Sequence, residues 1–394
     1  MADKITLLAG TAQPVNTPFS TFSPLAVDFL DALSRAIRAE EKGEEIAAFG
    51  FWCRRAHVEG LKKRHSCPFP RLGRGLIFHL APSNVPTMFA YSMALGMLAG
   101  NGNLIRLSQR RGEIEGRLCD LIARVLDRPE FAPLKERTAI LSCPRDSETI
   151  SSLLAQCDGR VIWGGDETVA AVRALPMPAH AVELAFPDRW SLCILSEQAL
   201  DEMDGEQLAG LARRFYNDTY LMDQNACSSP QMVVWQTGGG GEDTRKRWWE
   251  AVAEEARRRY PLGPFQAARK YERFCLAAME TGCVAGLDRY GGNLLYVARL
   301  SQLPDDLTTL RGGFGLFFQW ESETLEPLLD RLTPKVQTIA CAGVDGVSLA
   351  QQLAGRQARG VERIVPVGQA LEMDTLWDGH DIIAELSRIL AVEV

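Results

Sequence analysis

Between residues 74 and 196 short apolar runs alternate with helical stretches, and the runs lack the polar alternation of a strand with one wet face. That pattern predicts βαβ units, a mostly parallel sheet and helices on both of its faces. GLIFHLA (75–81) reads as the first of these strands. Pro86 then stands where a first helical turn tolerates proline, and an apolar helix runs on to Gly100-Asn101, which stop it. Further strands are predicted at 103–108, 138–143, 160–163, 181–186 and 191–195, with helices at 113–126, between 143 and 160, and at 166–175. Upstream, residues 1–50 read as an irregular start and an amphipathic helix carrying Leu25, Phe29, Leu33 and Ile37 at four-residue spacing.

The pattern changes near 197. A long helix over 198–216 leads into YLMDQNACSSPQMVVWQ, a four-glycine run (238–241), a charged helix (242–260) and strands at 294–300 and 314–320. The chain has 394 residues, enough for two or three coupled domains. The expected division is 1–196, 197–370 and a C-terminal segment 371–394. A net charge of −7 argues against a broadly basic nucleic-acid binder. The apolar stretch 85–100 is too short to span a bilayer, so no integral membrane segment is expected. The first ten residues make a poor signal peptide. The ten cysteines include no pair separated by two residues, and the five histidines have no HxH or HxxxH spacing, so no metal site is expected. Reduced thiols in a cytoplasmic protein are the expected state.

Five segments can carry chemistry. HLAPSNVP (79–86) lies between a strand and a helix, where doubly wound sheets bind ligands. Asn84 there is either a helix N-cap or an amide donor to a developing oxyanion. In AGNGNLIRLS (99–108), Arg106 stands near a strand end, as a plain strand-edge arginine or as a cation for a ribose or phosphate. In VIWGGDETVAAV (161–172) a glycine pair opens a helix whose N-terminus can face a pyrophosphate, although Asp166 can simply cap it. DQNACSSPQ (223–231) sets Cys227 among small polar neighbours that allow a substrate carbonyl to approach. Glu183, within the apolar HAVELAF, is either ion-paired or a base or proton relay, and His79 and His180 flank these segments as possible relays.

Taken in order, these segments resemble the aldehyde dehydrogenase superfamily. PSNVP resembles its Pro-x-Asn-x-Pro segment, LAGNGNLIRLS its Ala-Gly-Asn run and following cation, WGG its pyrophosphate turn, and NACSSPQ the stretch around its catalytic cysteine. More narrowly, CSSPQ together with ERIVPVG (362–368) and LWDGHDII (376–383) resembles the fatty-acid reductase (acyl-CoA reductase) family of bacterial luminescence. The resemblance covers roughly 70–394. It departs from the superfamily pattern at Glu183-Leu184-Ala185-Phe186 in place of Glu-Leu-Gly-Gly, at Gly312-Gly313-Phe314-Gly315 in place of Glu-x-Phe-Gly, and at Arg106 in place of lysine.

The resemblance implies an aldehyde-dehydrogenase-like α/β fold: a cofactor domain with an open, mostly parallel sheet, and a second α/β catalytic domain. It implies Cys227 as nucleophile, Asn84 as oxyanion donor and Glu183 as base. Pro82, Arg106, Ser108, Gly164 and Gly165 would then bind NADPH, with NADH as the alternative. The implied reaction is reduction of an acyl-CoA or carrier-bound acyl thioester, fatty acyl in kind, to the aldehyde through an acyl-cysteine. The rival readings are an NAD(P)-dependent aldehyde dehydrogenase forming free acid, and a non-reducing subunit that accepts acyl groups. An acyl-loading synthetase or transferase is the implied partner. A homo-oligomer is expected, with the segment 135–150 as its exposed hairpin.

Overall fold

The protein is described by a computed structural model covering residues 5–41, 43–82, 85–110, 112–144 and 147–393. The chain divides into two compact units, Met1–Pro187 with Met373–Val394, and Asp188–Glu372.

The first unit contains strands β1 (Thr6–Gly10), β2 (Arg71–Gly73), β3 (Leu76–Leu80), β4 (Gly102–Leu107), β5 (Thr138–Ser142), β6 (Gly159–Trp163) and β7 (Val182–Phe186). Six of them form one sheet in the order β1-β5-β4-β3-β6-β7. β3 to β7 run parallel and β1 is antiparallel to β5. Successive strand residues feed opposite cores. Ile77, Ile105, Ile140 and Val161 pack with Phe29, Leu33, Ile37, Met93 and Ile122 from the helices Pro24–Glu40, Met88–Leu98 and Glu113–Leu126. Leu76, Phe78, Leu104 and Ile162 pack with Leu154, Val169 and Val172 from the helices on the other face. Each such side chain contributes about 1.5–3 kcal/mol by leaving water. With both faces covered, no strand of this sheet needs polar alternation.

The expected hairpin at 135–150 is not formed. β5 lies inside the sheet, buried throughout and paired on both edges, and the helix Ser147–Leu154 follows it. The cap reading at Asn84 is displaced too, because the helix begins at Met88 with Thr87 in the cap position. Ser83 and Asn84 themselves lie outside the described residues.

The second unit holds β8 (Trp190–Ser196), β9 (Pro230–Gln236), β10 (Val284–Tyr290), β11 (Leu295–Leu300), β12 (Leu316–Ser322), β13 (Val336–Ala342) and β14 (Arg363–Pro366), in the order β10-β11-β12-β9-β8-β13-β14. All neighbours are parallel except β10 and β11. Phe215, Trp248 and Trp249 from two long helices cover one face. Gln319 Oε1 accepts from both Trp235 Nε1 (3.2 Å) and Trp249 Nε1 (2.6 Å), which satisfies two buried indoles.

The boundary expected at 196 therefore moves to 187/188. The run 190–196 is a strand, but it pairs with β9 and β13 in the second sheet, and hydrophobic periodicity carries no information about pairing partners. The helix expected over 198–216 is two, Glu197–Asp201 and Gly205–Thr219. Asp204 and Gln207 restart the chain with a reciprocal capping box.

The chain then returns to the first unit. β15 (Leu376–Trp377) and β16 (His380–Asp381) form a hairpin across Asp378 and Gly379, both left-handed (φ 50° and 76°), as an Asp-Gly turn requires. β17 (Ser387–Ile389) pairs with β2. Arg71 and Arg74 donate to the carbonyls of Ala384 and Glu385, and Asn101 Nδ2 donates to Leu386 O (2.9 Å). The segment 371–394, expected as a separate tail, is thus mostly an integral edge of the first unit. No helix among the described residues is long and apolar enough to cross a membrane.

Candidate active site

Seven of the ten cysteines are buried, and Cys67, Cys227 and Cys275 are half-buried. Cys227 sits in the loop that enters β9, an interior strand of the second sheet. The loop is tightly specified. Asp223 and Gln224 are both left-handed (φ 52° and 57°), which costs about 1–2 kcal/mol per non-glycine residue. The buried Gln224 carboxamide offsets that cost. Its Oε1 accepts from Gly315 N (2.8 Å), and its Nε2 donates to Leu316 O (3.0 Å) and Pro230 O (3.2 Å). Gln231 Nε2 donates to Gln224 O (2.8 Å). Ser191 Oγ donates to the carbonyl of Cys227 (2.7 Å) and accepts from Thr338 N (3.1 Å), which ties the loop to β8 and β13.

A cavity of about 270 Å³ opens beside this loop, lined by Arg189, Gln224, Cys227, Arg273, Arg311 and Gly312 among others. Arg311 pairs with Asp188 (2.6 Å), and Arg189 with Glu362 (3.2 Å). Arg273 donates from Nη1 to Gly312 O and lies 5.0 Å from the Phe314 ring centroid, but makes no ion pair among the described residues. Burial, and then repulsion from Arg269 and Arg311, pull its pKa below the usual arginine value. Gly313 has a backbone conformation (φ 141°) that side-chain-bearing residues rarely adopt, and Arg273 Nη1 lies where its Cβ would stand. The segment Gly312–Gly315 thus encloses a guanidinium and the Gln224 amide. The three arginines were not singled out from sequence. A glycine that leaves room for a cation was the available signal, but Arg273 lies on a helix, Pro264–Thr281, that the residue pattern did not reveal. A larger open depression of about 810 Å³ beside Glu202, Asp204 and Glu206 has no cysteine, serine or threonine among the described residues that line it.

In the first unit the strand order reverses around β3: the chain winds outward through β4 and β5, then crosses to β6 and β7. Ligands of doubly wound sheets bind at that switch, at strand C-termini. Pro82 follows β3 there, and Gly164 and Gly165 follow β6. Gly165 is the N-cap of the helix Asp166–Arg173, and a Cβ on it would meet nothing within 4 Å. Arg106 is the penultimate residue of β4 and is buried. Its Nη2 donates to Cys143 O (2.9 Å), and its buried Nε has no partner among the described residues. Ser108 Oγ accepts from Arg110 N (3.2 Å). An open glycine at a helix start and a buried guanidinium with a spare donor, both on the C-terminal edge of the sheet, fit a dinucleotide.

Glu183 requires a correction. Arg160, its register partner on β6, reaches Oε2 at 2.7 Å, and Arg173 reaches Oε1 at 2.7 Å. Burial works against its ionisation, but the bonds from Arg173 and Arg160 and their charges outweigh it and hold its pKa below the usual carboxylate value. A carboxylate gripped on both oxygens is an ion-pair partner, not a general base. His79 is fully buried in a closed network, and His180 is an exposed partner of Asp158 (3.0 Å), so neither geometry is that of a proton relay.

The two sheets and their connections define the class. Solved aldehyde dehydrogenases share the fold. A benzaldehyde dehydrogenase from Corynebacterium glutamicum superposes with TM-score 0.61 at 14% identity, covering 92% of this chain and 84% of that one. Lactaldehyde dehydrogenase from Escherichia coli gives 0.57 at 12% identity, covering 87% and 79%. At such identities the likeness is one of fold. Within that class the chain belongs to the acyl-CoA reductase (LuxC) family, whose sequence model matches residues 57–274, more than half of the chain. A long-chain acyl-protein thioester reductase from Vibrio harveyi is 29% identical over 163 residues, a match spanning 41% of this chain and 32% of that protein.

Proposed function

We propose that the protein reduces an acyl thioester to the aldehyde through an acyl-Cys227 intermediate, with NADPH as reductant. The observation that carries this reading is Cys227, half-buried at a cationic cavity on a strained loop braced by the Gln224 amide, in a chain of the acyl-CoA reductase family. Cationic surroundings favour a thiolate. The thiolate attacks the thioester carbonyl, forming a C–S bond. Asn84 supports the oxyanion, as its segment's resemblance implies, and the carrier thiolate leaves with the electron pair of the broken bond. A bound reduced nicotinamide supplies the hydride. The resulting thiohemiacetal alkoxide on Cys227 collapses to the aldehyde as its C–S bond breaks, which restores the Cys227 thiolate, and solvent supplies the proton taken up by the departed carrier thiolate.

Arg106 stands near the end of the second strand of the switch-point unit, where an acidic residue would favour NAD and a cation accommodates a 2′-phosphate. Pro82, Ser108, Gly164 and Gly165 complete the proposed cofactor site. Oxidation to free acid needs a base to activate water, and the clamped Glu183 does not supply one, which favours reduction. A fatty acyl group on coenzyme A or a carrier, delivered by a synthetase or transferase to a homo-oligomer, is the setting we assign.

Incubation with a panel of acyl-CoAs and NADPH or NADH, with aldehyde and intact protein mass read together, tests the proposal. Wild type should form aldehyde faster with NADPH and carry a single acyl adduct on Cys227, and Cys227→Ala should lose both. Aldehyde formation at the wild-type rate in Cys227→Ala would end this reading.

A further inference from the structure

We propose that the cavity beside Cys227 is a subsite for an anionic group of the substrate, a carboxylate or phosphate oxyanion gripped by Arg273 with Arg311 at its rim. The inference rests on Cys227 being the nucleophile and adds a charge requirement to the substrate.

Three arginines line the cavity, and two of them have carboxylate partners. Arg273 has none among the described residues, and its only hydrogen bond is the one from Nη1 to Gly312 O. Half-burying an unpaired guanidinium is unfavourable and is found where a ligand completes the pairing. The local sequence is adapted to keep it there. Arg273 Nη1 occupies the place a Cβ would take at Gly313 (φ 141°), and Phe314 adopts a left-handed backbone (φ 57°) with its ring beside the cation. Arg189, paired with Glu362 through Nη1, adds a second cation whose buried Nε has no partner among the described residues. A planar fork of donors suits a carboxylate or phosphate better than a carbonyl.

The size of the cavity narrows the choice. At about 270 Å³ it lies just below the roughly 300–1,000 Å³ usual for ligand pockets. Cys227 and Arg273 line the same small space, so an anion bound there lies a few bonds from the reacting carbonyl. A carboxylate on the acyl group itself meets that condition more directly than a coenzyme A phosphate, which is set back by the whole pantetheine arm.

Site-resolved alkylation of the full-length protein tests the subsite without requiring reductase activity. Iodoacetate and iodoacetamide are compared at Cys227, with Cys67 and Cys275 as internal references, by peptide mass spectrometry. Thiolate content affects both reagents alike, so their ratio isolates recognition of the anion. The iodoacetate preference at Cys227 should exceed that at the references by about tenfold or more, the range of a charge-assisted bond. It should fall to the reference value in Arg273→Gln and partway in Arg311→Gln, an exposed position that keeps the test valid should the first variant misfold. No preference at Cys227 in the wild type, or a preference unchanged in both variants, would overturn the proposal.

Thioesters of N-acetylcysteamine and coenzyme A, each with propanoyl and 3-carboxypropanoyl groups, separate the sources of the anion. Loss of the carboxyacyl preference in kcat/KM in Arg273→Gln assigns the site to the acyl group. Loss of the coenzyme A preference assigns it to phosphate. Absence of aldehyde from these thioesters and from fatty acyl-CoAs alike, with the iodoacetate preference intact, would remove the reductase reading and leave the anion subsite standing.

Discussion

His79 offers a measurable test of how the first sheet is held to its central helix. The side chain is fully buried, and its hydrogen bonds run in one direction only. Trp163 Nε1 donates to Ser92 Oγ (3.0 Å), leaving the Ser92 hydroxyl to donate to His79 Nδ1 (2.7 Å). His79 Nε2 faces Asn103 Oδ1 (2.9 Å), a pure acceptor whose amide nitrogen is committed to Asn101 O (3.0 Å), so Nε2 carries the proton. A second proton on Nδ1 would force the Ser92 hydroxyl to turn away and its oxygen to accept from the ring as well as from Trp163. Burial, against the bond to Asn103, accordingly pulls the His79 pKa from 6.5 to about 4. A histidine with a depressed folded-state pKa contributes its full stability above the unfolded value near 6.5 and loses it as pH falls from there toward 4. The shift corresponds to about 3 kcal/mol across that window. His79→Gln can still donate to Asn103 but cannot titrate. It should be less stable than wild type at pH 7, and urea unfolding should show that gap closing by up to about 3 kcal/mol as pH is lowered to 4. In nitrogen-15 spectra the His79 ring should remain an Nε2–H tautomer at pH 5.5. A ring that titrates at pH 6 or above, or a gap that does not change with pH, would refute the argument.

Other positions give further outcomes. Gly96, on the helix Met88–Leu98, lets that helix approach the same network, and an added Cβ would stand 2.0 Å from Asn103 Oδ1. Gly96→Ala, which raises helix propensity, should therefore lower stability by about 1–3 kcal/mol in urea unfolding. Asp218 is buried beneath the backbone N–H groups of Gly368 (2.6 Å) and Ala370 (2.9 Å), and burial outweighs those donors to push its pKa up to about 7. A carboxyl with a raised folded-state pKa loses stability as pH rises from its unfolded value to about 7. Asp218→Asn should therefore gain on wild type over that window, by up to about 1.4 kcal/mol per pH unit in urea unfolding.

The strands and helices between 75 and 186 were legible because the apolar runs are bounded by Gly, Pro or Asn and the helices are either clearly periodic, as at Glu113–Leu126, or long continuous apolar runs, as at Met88–Leu98. Pairing was less legible. The run 190–196 reads like another strand of the same sheet, and only long-range contacts assign it to the second. The helix Pro264–Thr281 escaped because Phe265, Tyr271 and Met279 point outward (69%, 51% and 82% exposed) and blur the amphipathic stripe. Cys227 stood out through its small polar neighbours. The arginines at 189, 273 and 311 did not, since they are scattered over more than a hundred residues of sequence and only the fold brings them to one cavity. Glu183 shows the same limit. Its partners are a cross-strand neighbour and a residue of the preceding helix, neither of which a local pattern weighs.

The loop before β9 joins local strain to chemistry, and Gln224 is where the two can be separated. Its amide fixes three backbone groups, at Gly315, Leu316 and Pro230, and a residue of similar size without the amide leaves them without that partner. Each buried group stranded in this way costs about 1–3 kcal/mol. That cost is comparable to the left-handed strain at Asp223 and Gln224, so the loop should relax around Cys227 while the sheet cores, which do not contain Gln224, stay folded. Misplacement of a nucleophile by about 1 Å can cost about a hundredfold in rate. Gln224→Met is therefore expected to keep the wild-type circular dichroism spectrum and lose at least about tenfold in kcat for aldehyde formation. Gln224→Glu, which keeps the acceptor for Gly315 N–H, should fall between the two. A methionine variant with undiminished kcat would mean that the strained loop is incidental to the reaction and that Cys227 needs no such support.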